Sequence, residues 1–229
     1  MGCKIIALAR GEEKLAGVVE GLPGEGHGFI AVDLAYRATL EARVQEQVDK
    51  GPIHILVNNT GGPGPGPIAQ ASDEAFLSGF QNHILAASLL TRLVLPGMKK
   101  DGFGRIINII STSVRIPIPN LGVSNTIRGA MASWAKTLSV EVAPFGITVN
   151  NVLPGYTMTP RLEKLIASFA EKTGQSLEDA TQAWRDRVPA GRFAEPEEVA
   201  AAAAFFAAPA AGYINGVSLA VDGGRTGCI

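Results

Sequence analysis

Short, almost uninterrupted apolar runs alternate along the chain with longer stretches in which apolar positions recur every three or four residues. The short runs cover Lys4 to Ala9, Gly28 to Val32, Ile53 to Asn58, Arg105 to Ile110, Ile147 to Val152 and Val217 to Val221. They are rich in Ile and Val with little polar alternation, the pattern of strands covered on both faces. Helical periodicity marks Glu12 to Glu20, Thr39 to Lys50, Asp73 to Lys99 and Val123 to Ala143, with three more helices toward the C-terminus. Val123, Ile127, Met131, Trp134 and Leu138 fall on one helical stripe. Ser176 with Asp179 has the spacing of a capping box, and Pro196 with Glu197 and Glu198 suits a helix's first turn. Strand alternating with helix predicts an α/β fold, a three-layer, doubly wound parallel sheet of the Rossmann-like kind. No linker or repeat divides it, so a single domain is expected over residues 1–229.

Composition narrows the class. With 46% apolar and 18% charged residues, 229 residues can bury a real core and are neither a disordered tail nor a coiled coil. Lys plus Arg number 20 against 21 Asp plus Glu, a net charge of −1, so no basic field exists to hold a nucleic acid. The most apolar stretch, Val199 to Ile214, is mostly alanine, contains Pro209 and follows an acidic turn. It is short for a membrane span and reads as a buried helix. Met1 leads directly into a strand-like run ending at Arg10, unlike a signal peptide. Cys3 and Cys228 make neither a disulfide framework nor a metal set. A soluble, reduced, cytoplasmic protein with no metal is expected. Gly61-Gly62-Pro63-Gly64-Pro65-Gly66-Pro67 follows a strand's carboxyl end. It is either part of a ligand-binding edge or simply a stiff loop.

Several segments acquire meaning together. They are Ile55-Leu56-Val57-Asn58-Asn59-Thr60-Gly61, Gly104-Arg105-Ile106-Ile107-Asn108-Ile109-Ile110-Ser111 and Gly146-Ile147-Thr148-Val149-Asn150-Asn151-Val152-Leu153-Pro154-Gly155. Gly191-Arg192-Phe193, Glu198-Val199-Ala200 and Val221-Asp222-Gly223-Gly224 complete the set. In this order the chain resembles the short-chain dehydrogenase/reductase superfamily, most closely its 3-oxoacyl-(acyl-carrier-protein) reductase-like members. The resemblance implies NADP(H) in preference to NAD(H), with Arg10 at the place of a base for the 2′-phosphate. It places Asp33 and Leu34 beside the adenine, and Asn58, Thr60 and Gly61 at the family's Asn-Asn-Ala-Gly element. Pro154, Gly155, Thr157 and Thr159 take the loop that meets the nicotinamide. Family members open with a further strand and a Gly-rich turn that binds the pyrophosphate at a helix N-terminus. Here the chain begins at what resembles the family's second strand, so the domain is expected to be N-terminally incomplete. Gly11-Glu12-Glu13 lacks the glycine spacing and sets carboxylates near the phosphates, so cofactor binding is expected to be weakened.

The family's chemistry uses Asn, Ser, Tyr and Lys, the tyrosine exchanging a proton with the substrate oxygen and the lysine lowering its pKa. Ser111 matches the serine. The tyrosine position falls on Ser124, the lysine position on Arg128 and the asparagine position on His83, with Asn82 adjacent. A serine hydroxyl is shorter than a phenol and hardly ionises near neutrality. Arginine keeps the charge but does not relay a proton. His83 is the nearby group expected to titrate near neutral pH, either as substitute proton source or as a packed helix histidine. Tyr156 matches no family acid.

Three functions are compatible with these residues. One is an NADP(H)-linked oxidoreductase reducing a small-molecule carbonyl or acyl thioester, or oxidising a secondary alcohol. Another is a catalytically degenerate relative that binds a nucleotide or a partner. The last is a structural subunit pairing with an active homologue. The resemblance implies assembly, as a dimer or tetramer, through the long helices and the C-terminal strand, with the exposed faces of Asp73 to Lys99 and Val123 to Ala143 forming the contact.

Overall fold

The structure, a computed structural model, describes residues 2–228; Met1 and Ile229, the ends of the expected domain, lie outside the described residues. Six strands alternate with helices: β1 (Ile6–Ala9), α1 (Glu12–Glu20), β2 (Gly28–Ala31), α2 (Arg37–Val48), β3 (Ile55–Asn59), α3 (Asp73–Phe80), α4 (Ala86–Asp101), β4 (Gly104–Ile109), α5 (Gly122–Val142), β5 (Ile147–Pro154), α6 (Pro160–Thr173), α7 (Leu177–Arg185), α8 (Pro196–Ala207) and β6 (Ser218–Val221). The strands all pair in parallel. β4 shows why the sheet is covered on both sides, because successive side chains point to opposite faces. Ile106 packs with Val94 and Met98 of α4 and with Ala135 and Val142 of α5. Ile107 packs with Val199 and Phe206 of α8.

The single expected sheet is two sheets. β1 pairs with β2, and β3-β4-β5-β6 form a separate four-stranded unit. Among the described residues no hydrogen-bonded ladder joins β1 to β3. They are bridged from one face, where Leu8, Ile30 and Val32 pack with Leu40 and Val44 of α2 and with Ala86, Leu89, Leu90 and Leu93 on α4.

Two further expectations change. Asp73 to Lys99 is not one helix: a π-helical turn over Gln81–Leu85 separates α3 from α4. Val199 to Ile214 is not one buried helix, since α8 ends at Ala207, Phe205 is 47% exposed and Pro209 opens a 3-10 turn. The Gly/Pro segment is a tethered loop, with Gly66 accepting from Gly122 and donating to Asn120. Ser176 caps α7, accepting from the Asp179 amide at 3.0 Å, but the Asp179 carboxylate answers to the Ser176 hydroxyl at 2.6 Å, so this is half of the expected capping box. α8 opens on Pro196 with Glu197 and Glu198 in its first turn, as expected, and adds a Glu195–Glu198 capping box.

The tightest joint carries a glycine. Gly146 sits at φ 71, and a Cβ there would lie 2.2 Å from the Gly102 carbonyl oxygen. Only glycine lets α5 turn into β5 against the end of α4 at that spacing.

Candidate active site

At the carboxyl ends of β3 and β4, a small enclosed cavity is lined by Leu34, Asn58, Thr60, His83, Ile109, Arg128 and neighbouring apolar side chains. Ligands in open α/β sheets bind at this edge. Arg128 crosses the two strand ends. Its guanidinium donates to the Ile109 carbonyl at 3.0 Å and to the Thr60 carbonyl at 2.9 Å. Burial, then the charge of Arg161, lowers its pKa to about 10, so it stays cationic at neutral pH. Ser124 precedes it by one turn on the same buried face of α5.

His83 enters this cavity from the π-turn, an irregularity that recurs at functional sites because it re-aims one side chain. Its Nδ1 is hydrogen-bonded to the Thr60 hydroxyl. The expectation that it titrates near neutrality is corrected here. Burial, then the charges of Arg128 and Arg161, lower its pKa to about 4, and the ring is neutral at pH 7. Arg161, which the sequence reading missed, donates to the Gly62 and Pro63 carbonyls at 3.1 and 3.2 Å. Its signal is weak from sequence alone, because it lies about a hundred residues from the loop it holds.

Ser111 follows the end of β4 in extended backbone (φ −171, ψ 152). Its Oγ accepts from the Ser113 amide at 3.1 Å, which leaves the hydroxyl proton free to donate outward. Among the described residues no tyrosine–lysine couple takes the place of Ser124 and Arg128. Tyr36 and Tyr213 are exposed, and Tyr156 stacks 4.9 Å from Trp184 and under Arg225 at 4.3 Å.

The residues assigned to a cofactor separate into two groups. Arg10 and Asp33 end neighbouring strands, joined by a loose 3.8 Å contact, and the Arg10 side chain is 81% exposed. A Cβ on Gly61 would meet nothing within 4 Å, so backbone there is open to close approach. This group suits the ribose-phosphate end of a dinucleotide. The α1 N-terminus suits a pyrophosphate poorly, with Glu12 and Glu13 in its first turn and no side-chain cap. The other group is occupied by the fold. Thr159 caps α6, accepting from Leu162 at 3.4 Å, and donates to Thr157. Thr157 donates to the Gly155 carbonyl at 3.4 Å. Pro154 closes β5 in register with Val221. A Cβ on Gly155 would lie 2.6 Å from that of Asp222, so packing already demands that glycine.

Asn58 has a partner that residue-by-residue reading does not show. It donates to Asn108 at 2.8 Å, Asn108 donates to Asn151 at 2.9 Å, and Asn151 donates to Ser218 at 3.0 Å. These four are cross-strand partners in register, so one amide ladder runs through the interior from β3 to β6. The available signal was an asparagine at the matching position of three successive strands.

Comparison with known proteins decides the family. A family described as enoyl-(acyl carrier protein) reductase matches residues 1–226. The chain belongs to the short-chain dehydrogenase/reductase superfamily. Within it, the chain is related to 3-oxoacyl-(acyl-carrier-protein) reductases. It is 32% identical to a putative ketoacyl reductase of Streptomyces coelicolor, covering 97% of this chain and 87% of that one. It is also 32% identical to the 3-oxoacyl-[acyl-carrier-protein] reductase FabG of Vibrio cholerae, again over 97% and 87%. A crystal structure of a single-residue variant of actinorhodin polyketide ketoreductase with NADPH superposes at TM-score 0.92 and 32% identity, over 99% of this chain and 89% of that one. For this short-chain dehydrogenase/reductase, no helix among the described residues is long and apolar enough to cross a membrane. No group of His, Cys, Asp and Glu among them is arranged to hold a metal.

Proposed function

We propose that the chain is an NADP(H)-linked oxidoreductase interconverting a carbonyl and a secondary alcohol. The observation that carries this reading is the Ser111 hydroxyl, free to donate at the carboxyl edge of β4, two residues after the Ile109 carbonyl that the buried Arg128 cation holds. When bound, NADP(H) supplies or accepts the hydride at the carbinol carbon. Arg10 would hold the 2′-phosphate, Asp33 and Leu34 would flank the adenine, and Gly61 would admit the cofactor against backbone. The acidic first turn of α1 weakens that binding. Ser111 donates to the carbonyl oxygen, and Arg128 favours the negative charge developing there. His83, neutral at pH 7, does not deliver the proton; it fixes the Thr60 hydroxyl, and the proton on the alcohol oxygen comes from water. The substrate is a small carbonyl compound or an acyl thioester of the kind FabG acts on. Leu77 and Val140, each more than two-thirds exposed on α3 and α5, suit pairing into a dimer or tetramer.

A second reading is favoured by one observation: two of the Arg128 N–H groups are committed to backbone carbonyls, and among the described residues no tyrosine lines the cavity beside it. On this reading the chain binds a nucleotide or a partner without turnover. Titration of NADPH and NADH, followed by NADPH oxidation with a panel of ketones, separates the two. Turnover that Ser111→Ala lowers by about 10²-fold or more supports the oxidoreductase. Binding without turnover supports the second reading, and the absence of dinucleotide binding overturns both.

A further inference from the structure

A second cavity, of about 290 Å³, opens at the same sheet edge. Thr112, Ile116, Arg187, Arg225 and Thr226 line it. These residues come from three distant parts of the chain: the segment after β4, the end of α7 and the segment after β6. None of them carries a catalytic or cofactor role in the arrangement above.

Its electrostatics are one-sided. Two guanidiniums face the cavity, and among the described residues neither forms an ion pair with a carboxylate. The acid closest in sequence to Arg225, Asp222, already accepts from the Gly224 and Thr226 amides at 3.1 and 2.8 Å. Instead the cations rest on aromatic faces, which orient a guanidinium without neutralising it. Arg225 lies 4.3 Å over Tyr156, and Arg187 lies 5.7 Å from both Phe169 and Trp184. Arg225 also donates to the Thr112 hydroxyl at 3.5 Å. Ile116 supplies an apolar wall. An arginine pair with hydroxyls beside it matches the planar, two-oxygen shape of a carboxylate.

We propose that Arg187 and Arg225 form a seat for the acid group of the substrate, making the preferred substrate class a short oxo acid or hydroxy acid. This rests on the oxidoreductase reading and adds the substrate to it. Distance selects the class. Thr112 is the residue after Ser111, and consecutive Cα atoms stand about 3.8 Å apart. Arg225 donates to the Thr112 hydroxyl, so an anion held by that guanidinium sits against the residue that adjoins Ser111. A short oxo acid has that spacing; a carrier-bound thioester has its phosphate at the far end of a long arm.

The test titrates the full chain calorimetrically with acetoacetate, its neutral methyl ester and inorganic phosphate. The same two carbonyl compounds are run in the NADPH-oxidation assay. Acetoacetate is expected to bind at least ten-fold more tightly than the ester. Arg187→Met and Arg225→Met are each expected to weaken acetoacetate by about ten-fold and to leave the ester unchanged. Equal affinity for acid and ester, or variants that hold the acid as the parent does, overturn the seat even where ketones turn over. Phosphate binding more tightly than acetoacetate and displacing it also overturns the oxo acid, in favour of a phosphate-bearing ligand. Acid binding that both variants lose, without any turnover, keeps the seat and removes the reductase reading.

Discussion

The guanidinium of Arg128 holds the backbone carbonyl of Thr60 at 2.9 Å, and its second nitrogen reaches Ile109. One buried cation therefore ties the carboxyl ends of two neighbouring strands. Hydrogen bonds to a charged donor contribute about 1.5–3 kcal/mol each, less the cost of burying the charge. Arg128→Met is expected to lower unfolding stability by about 2 kcal/mol, read as a lower urea midpoint. Arg128→Lys, with one point charge in place of a fork, is expected to recover only part of it. An unchanged midpoint with lost turnover would instead give Arg128 to the substrate alone.

His83 makes stability depend on pH. Its folded pKa, about 4, lies below the ordinary 6.5 because burial and the Arg128 charge disfavour the imidazolium. The unfolded chain thus binds the proton more readily. The stabilisation is complete above about pH 6.5 and is lost as pH falls toward 4. A shift of this size corresponds to roughly 3 kcal/mol. Urea unfolding of the parent is expected to weaken across that window, and His83→Gln to flatten the slope. Equal slopes in both proteins would show that His83 is not held neutral.

The alternation of apolar runs and amphipathic stretches identified every strand and most helices, because burial on two faces writes itself directly into composition. Boundaries moved by a few residues, as for β5, which runs on to Pro154. What eluded the pattern depends on contacts between distant segments. The π-turn at His83 leaves helical periodicity nearly intact, so nothing local marks it. Arg161, Arg187 and Arg225 carry no local signal, because the fold is what brings the Gly62 and Pro63 carbonyls to the first and aromatic rings to the other two. Ser111, Ser124 and Arg128 were singled out by the family resemblance. Their hydrogen bonds were not.

The asparagine ladder has a cost when broken. Asn108 is fully buried and links Asn58 to Asn151. Removing it leaves an orphaned donor and an orphaned acceptor inside the sheet, each costing about 1–3 kcal/mol. Asn108→Leu is expected to destabilise by about 3 kcal/mol in denaturant titrations, more than Asn151→Ser, whose hydroxyl can still meet one neighbour. A neutral Asn108→Leu would mean that water already reaches these amides.

The divided sheet leaves a signature in amide exchange. In parallel pairing, alternate residues turn their N–H and C=O groups toward the same neighbour. Gly28 donates to the Ile5 carbonyl and Val32 to Ala9, so Ile5, Ala7 and Ala9 serve β2. Ile6 and Leu8 face the other way. Arg105 donates to the His54 carbonyl, so His54, Leu56 and Asn58 serve β4, while Ile55 and Val57 turn outward. Val57, 48% exposed, lies on that edge. Exchange at Ile6, Leu8, Ile55 and Val57 is expected to be at least about 100-fold faster than at Ala7 and Leu56, since only the latter open with the ladder. Uniform protection across these six amides would mean that the edges of β1 and β3 are covered in solution, and the sheet is then continuous.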